Sequence, residues 1–255
     1  MTLSPLAVSI RVYGPLNDFL PPHLRHATWR HVVKGRPTVK DLIEGVGVPH
    51  PEIDLILVNG TSVSFDDVVE SGDRIAVFPR FTGIDIDKTT RVRAPAPDVI
   101  RFVADVHLGK LARRLRLIGL DTVYTTDARD EELAGLAGRE GRILLTRDQG
   151  LLKRRVVTYG YFIRETDPHR QLVEVLRRFG PLNLHPFTRC LRCNGELRDV
   201  DKSAVDSALP PRTRLHYDAF QECGDCGRIY WKGSHWKRLT HAVEAACAEA
   251  GRRAE

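Results

Sequence analysis

The apolar positions of the first 80 residues form four short strand-like runs, with one helical segment between the second and the third. The runs cover residues 7–12, 28–33, 55–58 and 74–78. A helix is predicted to begin near Thr38, because threonine is a favourable N-cap and the residues after it suit a helix. Asn59-Gly60 supplies a tight turn after the third run. The predicted order is strand, strand, helix, strand, strand.

The second part of the chain alternates strand-like and helical segments, which is typical of a parallel α/β sheet. Its strand-like runs cover residues 99–104, 120–124, 143–147 and 156–163. The first and third of these runs are each followed directly by an aspartate, Asp105 and Asp148. Because ligands bind at the carboxyl ends of the strands in parallel α/β sheets, both aspartates are candidate site residues.

The N-terminal pattern is that of a ubiquitin-like β-grasp domain, which we assign to residues 1–82. The segments PTVKDLIE, LVNG and SGDRIAVFP resemble the sulfur-carrier proteins of thiamine and molybdopterin synthesis. Such a carrier needs a free C-terminal diglycine, whereas this chain continues into PRFTGIDIDKT, so carrier chemistry is excluded. We expect a scaffold or docking module whose protein partner is unknown. Residues 83–98, with two Ala-Pro steps, are predicted to be a linker.

The charge is distributed unevenly along the chain. Residues 1–80 carry 8 Lys and Arg against 9 Asp and Glu, whereas the remaining residues carry 31 against 24. A basic second part suggests a polyanionic partner. No apolar run approaches the roughly 20 residues that span a bilayer, and the N-terminus lacks the pattern of a secretory signal. We therefore expect a cytoplasmic protein with no membrane partner.

Two interpretations fit the aspartates that follow the strands. Each could cap the helix that begins after it. Alternatively, neighbouring strands bring the carboxylates of Asp105 and Asp148 together, and because like charges repel, a cation would lie between them. The acidic turn at residues 127–132 otherwise complements a helix dipole, but it could add a third carboxylate. Asp167, before the last helix of this part, could add a fourth.

Basic residues flank these aspartates and are candidates for holding a phosphate backbone. Contacts of this kind give affinity and salt dependence but no sequence choice. A solvated helix face is the alternative for each single residue. The candidate RNA-binding residues of this group are Lys110, Arg113, Arg114, Arg147, Lys153, Arg154 and Arg155.

Four of the five cysteines form two C-x₂-C pairs, with 29 residues between the pairs. This spacing favours a tetrahedral structural Zn²⁺, and disulfides are the weaker alternative in a cytoplasmic chain. A closed four-cysteine site has no catalytic role. We assign residues 181–255 to a zinc-ribbon module with a C-terminal helix. The predicted zinc ligands are Cys190, Cys193, Cys223 and Cys226.

Aromatic and basic residues alternate after the second cysteine pair, in the run IYWKGSHWKR at residues 229–238. Such a run can stack on unpaired bases, which makes His235 and Trp236 RNA-binding candidates. The run can equally pack between the zinc module and the domain before it. The sequence leaves both interpretations open.

Residues 99–180 resemble a PIN-like nuclease domain, and more narrowly the Mut-seven C-terminal ribonuclease family. The matching features are the helix segment that starts at Asp105, the turn at Asp130, the LLTRD motif ending at Asp148, and the order of the three parts. The resemblance implies that Asp105, Asp130 and Asp148, with Asp167 as a further member, form a catalytic site that holds Mg²⁺ or Mn²⁺. His107 replaces the family's usual apolar residue beside this site, and Arg114 replaces a tryptophan.

Together these features predict an α+β and α/β multidomain chain: a ubiquitin-like β-grasp domain, a PIN-like parallel α/β domain and a zinc ribbon. The leading hypothesis is a metal-dependent ribonuclease that hydrolyses RNA phosphodiester bonds at an aspartate cluster. The alternative is an RNA-binding protein with a PIN-like fold and weak or no nuclease activity. Dependence of RNA cleavage on Mg²⁺ or Mn²⁺ distinguishes the two.

Overall fold

The computed structural model describes residues 6–81 and 84–251, apart from the side chains of Ser234, His235 and Lys237. Its strands are β1 (Leu6–Val12), β2 (Thr28–Val33), β3 (Ile53–Val58), β4 (Thr61–Ser62), β5 (Arg74–Pro79), β6 (Phe102–Ala104), β7 (Thr122–Val123), β8 (Ile143–Thr146), β9 (Gly160–Phe162), β10 (Leu197–Val200), β11 (Phe220–Cys223) and β12 (Ile229–Trp231). Its α-helices are α1 (Val39–Gly45), α2 (Gly109–Leu117), α3 (Asp130–Glu140), α4 (Gln149–Leu152), α5 (Pro168–Phe179), α6 (Lys202–Val205), α7 (Pro211–His216) and α8 (Ser234–Gly251).

The chain divides into two compact units. The first unit consists of Met1–Pro97 and Asp148–Phe162, and the second consists of Asp98–Arg147 and Ile163–Glu255. The cysteine module therefore belongs to the same unit as most of the predicted nuclease domain. None of the helices within the described ranges is long and apolar enough to cross a membrane.

The first unit contains the predicted ubiquitin-like β-grasp fold. Its sheet has the order β2-β1-β5-β3-β4, with β1 and β5 parallel and the other neighbours antiparallel. Alternate residues of β1, such as Val8 and Ile10, are buried in the core that Ile43 of α1 completes. The predicted cap at Thr38 is present: its hydroxyl accepts a hydrogen bond from the Asp41 amide at 3.1 Å, and the Asp41 carboxylate accepts one from the Thr38 amide.

The segment predicted to be a linker packs against the first unit. Asp54 is 5% exposed, and its carboxylate is paired with Arg93, which also pairs with Asp87. The Thr90 hydroxyl donates a 2.6 Å hydrogen bond to the Asp54 carbonyl. A buried carboxylate is stable only with such partners, so β3 holds this segment in place.

Residues 148–162 also belong to the first unit. The buried His50 ring contacts the Val157 carbonyl at 2.8 Å and the Glu44 carboxylate at 2.6 Å. The Phe162 amide donates to Glu52 at 2.6 Å. The contacts of His50 with Val157 and of Glu52 with Phe162 join residues 107 and 110 positions apart, which is why sequence pattern alone did not group them.

The second unit has a parallel sheet whose central strand is β6. Phe102 pairs with Thr122 of β7 on one side and with Ile143 of β8 on the other. All three residues of β6 are fully buried, as expected of a strand covered on both faces. The strand is shorter than the predicted residues 99–104, and Val99 is 64% exposed. An apolar run becomes a strand only where neighbouring strands supply hydrogen-bond partners.

The cysteine module adds a small antiparallel sheet in the order β10-β11-β12 to the second unit. These strands are short and most of their residues are half-buried, so their apolar pattern was too weak to predict. The long helix α8 packs against α5, where the Arg177 guanidinium donates to the Glu249 carbonyl at 2.9 Å. The parallel sheet and the cysteine module therefore share one packed unit.

Gly119 lies at the contact between the end of α2 and the segment that leads into the cysteine module. It adopts a left-handed conformation with φ of +88°. A Cβ at this position would come within 2.1 Å of the His185 carbonyl oxygen. The backbone there is held by hydrogen bonds from the His185 amide to the Ile118 carbonyl at 3.1 Å and from the Phe187 amide to the Leu117 carbonyl at 2.9 Å.

Gly119→Ala should destabilise the protein more than Gly141→Ala. Gly141 also has a positive φ, of +61°, but a Cβ there meets nothing within 4 Å. The control should lose about 1–2 kcal/mol from left-handed backbone strain, and Gly119→Ala about 1–3 kcal/mol more from the clash. Urea unfolding followed by circular dichroism measures both, and equal losses would contradict the close packing at Gly119.

Candidate functional site

Asp105 lies directly after β6, at the carboxyl end of the central parallel strand, and is 4% exposed. Its Oδ2 accepts a hydrogen bond of 2.6 Å from the hydroxyl of Thr146, the last residue of β8. Its amide donates to the Leu145 carbonyl at 3.0 Å. Two neighbouring strands therefore fix both the backbone and the carboxylate of Asp105.

Capping explains two of the other predicted aspartates. Asp148, in the first unit, is the N-cap of α4 and accepts hydrogen bonds from the next backbone amides, including Gly150 at 2.6 Å. Asp167, in the second unit, is the N-cap of α5 and accepts from the His169 and Arg170 amides at 2.9 and 3.0 Å. The hydrogen bond from the Arg170 amide lowers the pKa of Asp167. The hydrogen bond from the His169 amide and the positive charge of Arg114 act in the same direction.

Asp105 differs from these two residues, because its side chain makes no capping hydrogen bond to the turn that follows it. Asp130, the remaining predicted member, is the first residue of α3. Within residues 6–81 and 84–251, the four paired cysteines are the one group of three or more acidic, histidine or cysteine side chains close enough to hold an ion. The predicted aspartate cluster therefore stays a prediction.

A basic cleft of about 560 Å³ lies in the second unit, beside the turn that follows Asp105. The first residues of α2 and α5, Gly109 and Pro168, open onto it, so two helix N-termini face the same space. Such ends carry a partial positive charge that favours anions, and at α5 the Asp167 carboxylate already accepts from the first amides. The cleft is lined by His107, Gly109, Lys110, Arg113, Tyr124, Thr166, Pro168 and Gln171.

Two of the predicted RNA-binding residues, Lys110 and Arg113, line this basic cleft with exposed side chains. His107, which departs from the family pattern, is exposed there as well. The Tyr124 hydroxyl donates to the Val106 carbonyl at 3.1 Å, which holds the ring against the turn after Asp105. The described residues that line the cleft include no Asp or Glu, so its charge is suited to a phosphate.

Other predicted RNA-binding residues bond to the protein itself. The Arg147 guanidinium donates to the carbonyls of Ile163, Arg164 and Glu165 at 2.7–2.9 Å. In the first unit, the Lys153 ammonium donates to the Glu44 carbonyl at 2.8 Å. Both side chains hold backbone segments in place, a role that their charge alone does not reveal.

The remaining basic candidates differ in exposure. Arg155, in the first unit, is exposed, whereas Arg154 beside it and Arg114 in the second unit are half-buried. The side chain of His235 lies outside the described part of the chain. Trp236 stacks on Phe187, so the packing alternative for the aromatic run accounts for this residue.

The four paired cysteines form a compact cluster that could bind zinc. Their sulfur atoms all lie within 4.8 Å of one another, with 3.4 Å between Cys193 and Cys223. The backbone turns back at each pair, through hydrogen bonds from the Cys190 amide to the Gly195 carbonyl at 2.7 Å and from the Gly227 amide to Cys223 at 2.9 Å. Four sulfur ligands at such spacing suit tetrahedral coordination.

The surroundings of Cys190 favour its thiolate form. Burial alone would raise its pKa, but the Tyr230 hydroxyl at 3.2 Å and the Cys193 and Arg192 amides lower the pKa of Cys190 to about 6. A thiolate at neutral pH is the form that binds a metal ion. Apart from its place in the aromatic run, nothing in the sequence indicated this role for Tyr230.

Arg116 connects this cluster to the parallel sheet, and the sequence pattern did not identify it. It is 2% exposed, although its neighbours on α2 suggested a solvated basic face. Its guanidinium donates to the Thr122 carbonyl at 2.9 Å and to the carbonyls of Leu191 and Arg192 at 3.2 and 2.8 Å. In the sequence, only the position of Arg116 beside the apolar face of α2 could have indicated that its side chain is buried.

Asn194 also links the cysteine cluster to the parallel sheet. Its side chain accepts a hydrogen bond from the Thr122 amide at 2.9 Å and donates one to the Asp121 carboxylate at 2.7 Å. Arg142 pairs with Asp121 at 2.7 Å from the opposite side. Despite burial, the bonds from Arg142 and Asn194 lower the pKa of Asp121, so the network keeps its charge.

Cys190→Ser should remove the bound metal ion, whereas Cys247→Ser should leave it in place. Cys247 lies on α8 outside the cluster, which makes it the matched control. We expect one ion per chain in the native protein, and loss of the ion should lower the melting temperature because the turn that Arg116 contacts loses its anchor. Elemental analysis and thermal unfolding measure this, and retention of a full ion by Cys190→Ser would contradict a four-sulfur site.

Comparisons with known proteins give two family matches and two similar solved structures. Residues 100–243 match the model of the Mut7-C RNAse domain, and residues 6–85 match that of the Mut7-C ubiquitin domain. A comparison with curated proteins gives no match. Two structures of the small archaeal modifier protein SAMP1 from Haloferax volcanii match at 23% and 20% identity, each over 30% of this chain and over 98% and 99% of their own, with TM-scores of 0.24. Because the first model spans more than half of the sequence, the chain belongs to the Mut7-C RNAse domain family.

Proposed function

We propose that the chain is a metal-dependent ribonuclease that hydrolyses RNA phosphodiester bonds in its second unit. The observation that carries the proposal is the buried carboxylate of Asp105, fixed by Thr146 at the end of the central parallel strand. Capping does not explain this residue, and a buried carboxylate calls for a cationic or hydrogen-bonding partner. The match to the Mut7-C RNAse domain supports the same assignment.

The donor set around Asp105 fits Mg²⁺ or Mn²⁺ better than an ion that needs a complete protein cage. Mg²⁺ keeps several waters and binds through one or two carboxylates plus substrate phosphate. Asp105 is the ligand that we assign first; Thr146 holds its Oδ2, and its carboxylate would bind the ion. The sequence motifs indicate Asp130, Asp148 and Asp167 as further ligands.

When bound, the ion would act as a Lewis acid. It would lower the pKa of a coordinated water and neutralise negative charge on the RNA phosphate. The chain itself orients the substrate. Lys110 and Arg113 bind the non-bridging phosphate oxygens from the basic cleft, and the dipole of α2 adds partial positive charge at its N-terminus. Thr146 keeps the Asp105 carboxylate in a single orientation, which is the usual effect of a hydrogen-bonded partner behind a metal ligand.

The second candidate is an RNA-binding protein with weak or no nuclease activity. The observation that favours it is the capping role of Asp148 and Asp167, which gives two of the four aspartates a structural function. The basic cleft serves a binder as well as an enzyme. The two candidates therefore differ in the metal dependence of RNA cleavage and in the effect of replacing Asp105.

Asp105→Asn should reduce Mn²⁺-dependent cleavage of labelled RNA by roughly 100-fold or more, because a metal ligand that stabilises transition-state charge contributes several kcal/mol. The amide keeps the shape of the side chain and can still accept the Thr146 hydrogen bond. Asp148→Asn tests the aspartate that belongs to the first unit in the same assay. Gel analysis of single-stranded and structured RNA, with and without Mn²⁺, measures the loss.

Asp66→Asn is the matched control for this experiment. Asp66 is exposed in the first unit and has no assigned role, so cleavage should be unchanged. If native protein cleaves no RNA in Mn²⁺ or Mg²⁺ but binds it, the RNA-binding candidate replaces the ribonuclease. If Asp105→Asn cleaves as fast as native protein, the assigned ligand is wrong.

Replacing both Lys110 and Arg113 with glutamine should weaken RNA binding and flatten its salt dependence. Each lost phosphate contact changes the slope of log K against log salt by about 0.7 for single strands, so the double variant should lose about 1.4. Arg30→Gln, an exposed change on β2 of the first unit, should leave the slope unchanged. Fluorescence anisotropy over a salt series measures this slope. An unaltered slope in the double variant would show that the basic cleft does not bind the RNA backbone.

A further inference from the structure

The cysteine module contains a second cavity, of about 550 Å³, that neither the metal cluster nor the basic cleft uses. Five aromatic side chains line it, each of them half-buried: Phe187, Tyr217, Tyr230, Trp231 and Trp236. They come from the segment before the first cysteine pair, the residue after α7, strand β12 and the start of α8. We call this space the aromatic cavity.

The core of the module accounts for only part of this aromatic surface. Tyr217 and Trp231 pack at one side against the small core of Val205, Leu209 and Phe220. Their rings still line the cavity on another side. Flat aromatic surfaces that remain open to solvent are sites on which unpaired bases stack, and such stacking tolerates any base sequence.

The basic side chains around the aromatic cavity favour an anionic ligand. Arg212 and Arg228, both exposed, line the same cavity, as do His216 and the half-buried Arg189. The described residues around the cavity include no Asp or Glu. Arg189 lies 3.9 Å from Asp121, whereas the guanidinium groups of Arg212 and Arg228 are placed to meet an anion. A ligand with a flat ring and an attached phosphate satisfies both the aromatic and the basic side chains.

We propose that the aromatic cavity binds one unpaired nucleotide of a single-stranded RNA, with the base against the aromatic rings and its phosphate on Arg212 and Arg228. The inference rests on the proposed function for the identity of the polymer, and it adds a binding site separate from the catalytic aspartates. Stacking carries the recognition, so the cavity selects unpaired RNA over duplex RNA and shows little base preference.

The test compares two labelled eight-nucleotide probes on the full-length zinc-loaded protein, without added Mg²⁺ or Mn²⁺. One probe is single-stranded RNA, and the other has the same backbone with every base removed. Native protein should bind the complete probe roughly 5- to 100-fold more tightly, as expected for one stacked base. Trp231→Ala should abolish this preference, and Trp231→Phe should retain most of it.

Charge variants provide a readout that does not depend on the small core. Arg212→Gln combined with Arg228→Gln should weaken binding of both probes by a similar factor, because both probes carry the same phosphates. Arg192→Gln is the matched control: it removes an exposed charge from the same module outside the cavity, and its effect should be smaller than that of either cavity arginine alone. Bound metal and melting temperature are measured for every variant, so that misfolding is recognised.

Photocrosslinking of native protein locates the contact directly. An RNA probe with 4-thiouridine should crosslink to peptides that contain Phe187, Tyr217, Trp231 or Trp236. Equal affinity of native protein for the two probes would overturn the proposal, as would crosslinks confined to peptides outside the cavity. Binding unchanged in all cavity variants would also overturn it, and would favour an apolar peptide as the occupant.

The same samples separate this inference from the proposed function. Base preference without any Mn²⁺-dependent cleavage would reject the ribonuclease and leave the nucleotide site supported. Cleavage that requires Asp105 but shows no base preference would support the ribonuclease and reject the aromatic cavity as a nucleotide site.

Discussion

The second unit depends on the buried guanidinium of Arg116. This one side chain satisfies the Thr122 carbonyl at the end of the parallel sheet and two carbonyls in the first cysteine turn. Burial lowers the pKa of Arg116, and negative charge on Cys190 and Cys193 acts in the opposite direction. A buried cation is stable only with such partners, so the sheet and the cysteine module stabilise each other through it.

The same constraint explains why a structural metal site matters to a nuclease fold. An ion held by the four cysteines would fix the turn whose carbonyls receive Arg116, and α2 carries Arg116 on one side and the basic cleft at its N-terminus. Asn194 and the Gly119 contact with His185 reinforce the same junction. Stability of the cysteine module and the position of α2 are therefore coupled by direct contacts.

The proposed chemistry and the proposed RNA contacts occupy different parts of this unit. Asp105 is rigid because two strands hold it, which suits a metal ligand. Lys110 and Arg113 are exposed around a cleft, which suits the sequence-independent holding of a backbone. The nucleotide site proposed for the aromatic cavity would add a property that neither of these provides, a means to distinguish unpaired from paired RNA.

The sequence by itself determined the β-grasp order, the parallel α/β pattern, the cysteine pairs and the acidic end of β6, because local periodicity and spacing encode these features. Tertiary structure decided which charged residues are free to act. Lys110 and Arg113 line a cleft with exposed side chains, whereas Arg116 on the same helix is buried and donates to carbonyls of the first cysteine turn. The reason is physical: the partners of a buried charge come from remote segments, and only folding brings them together.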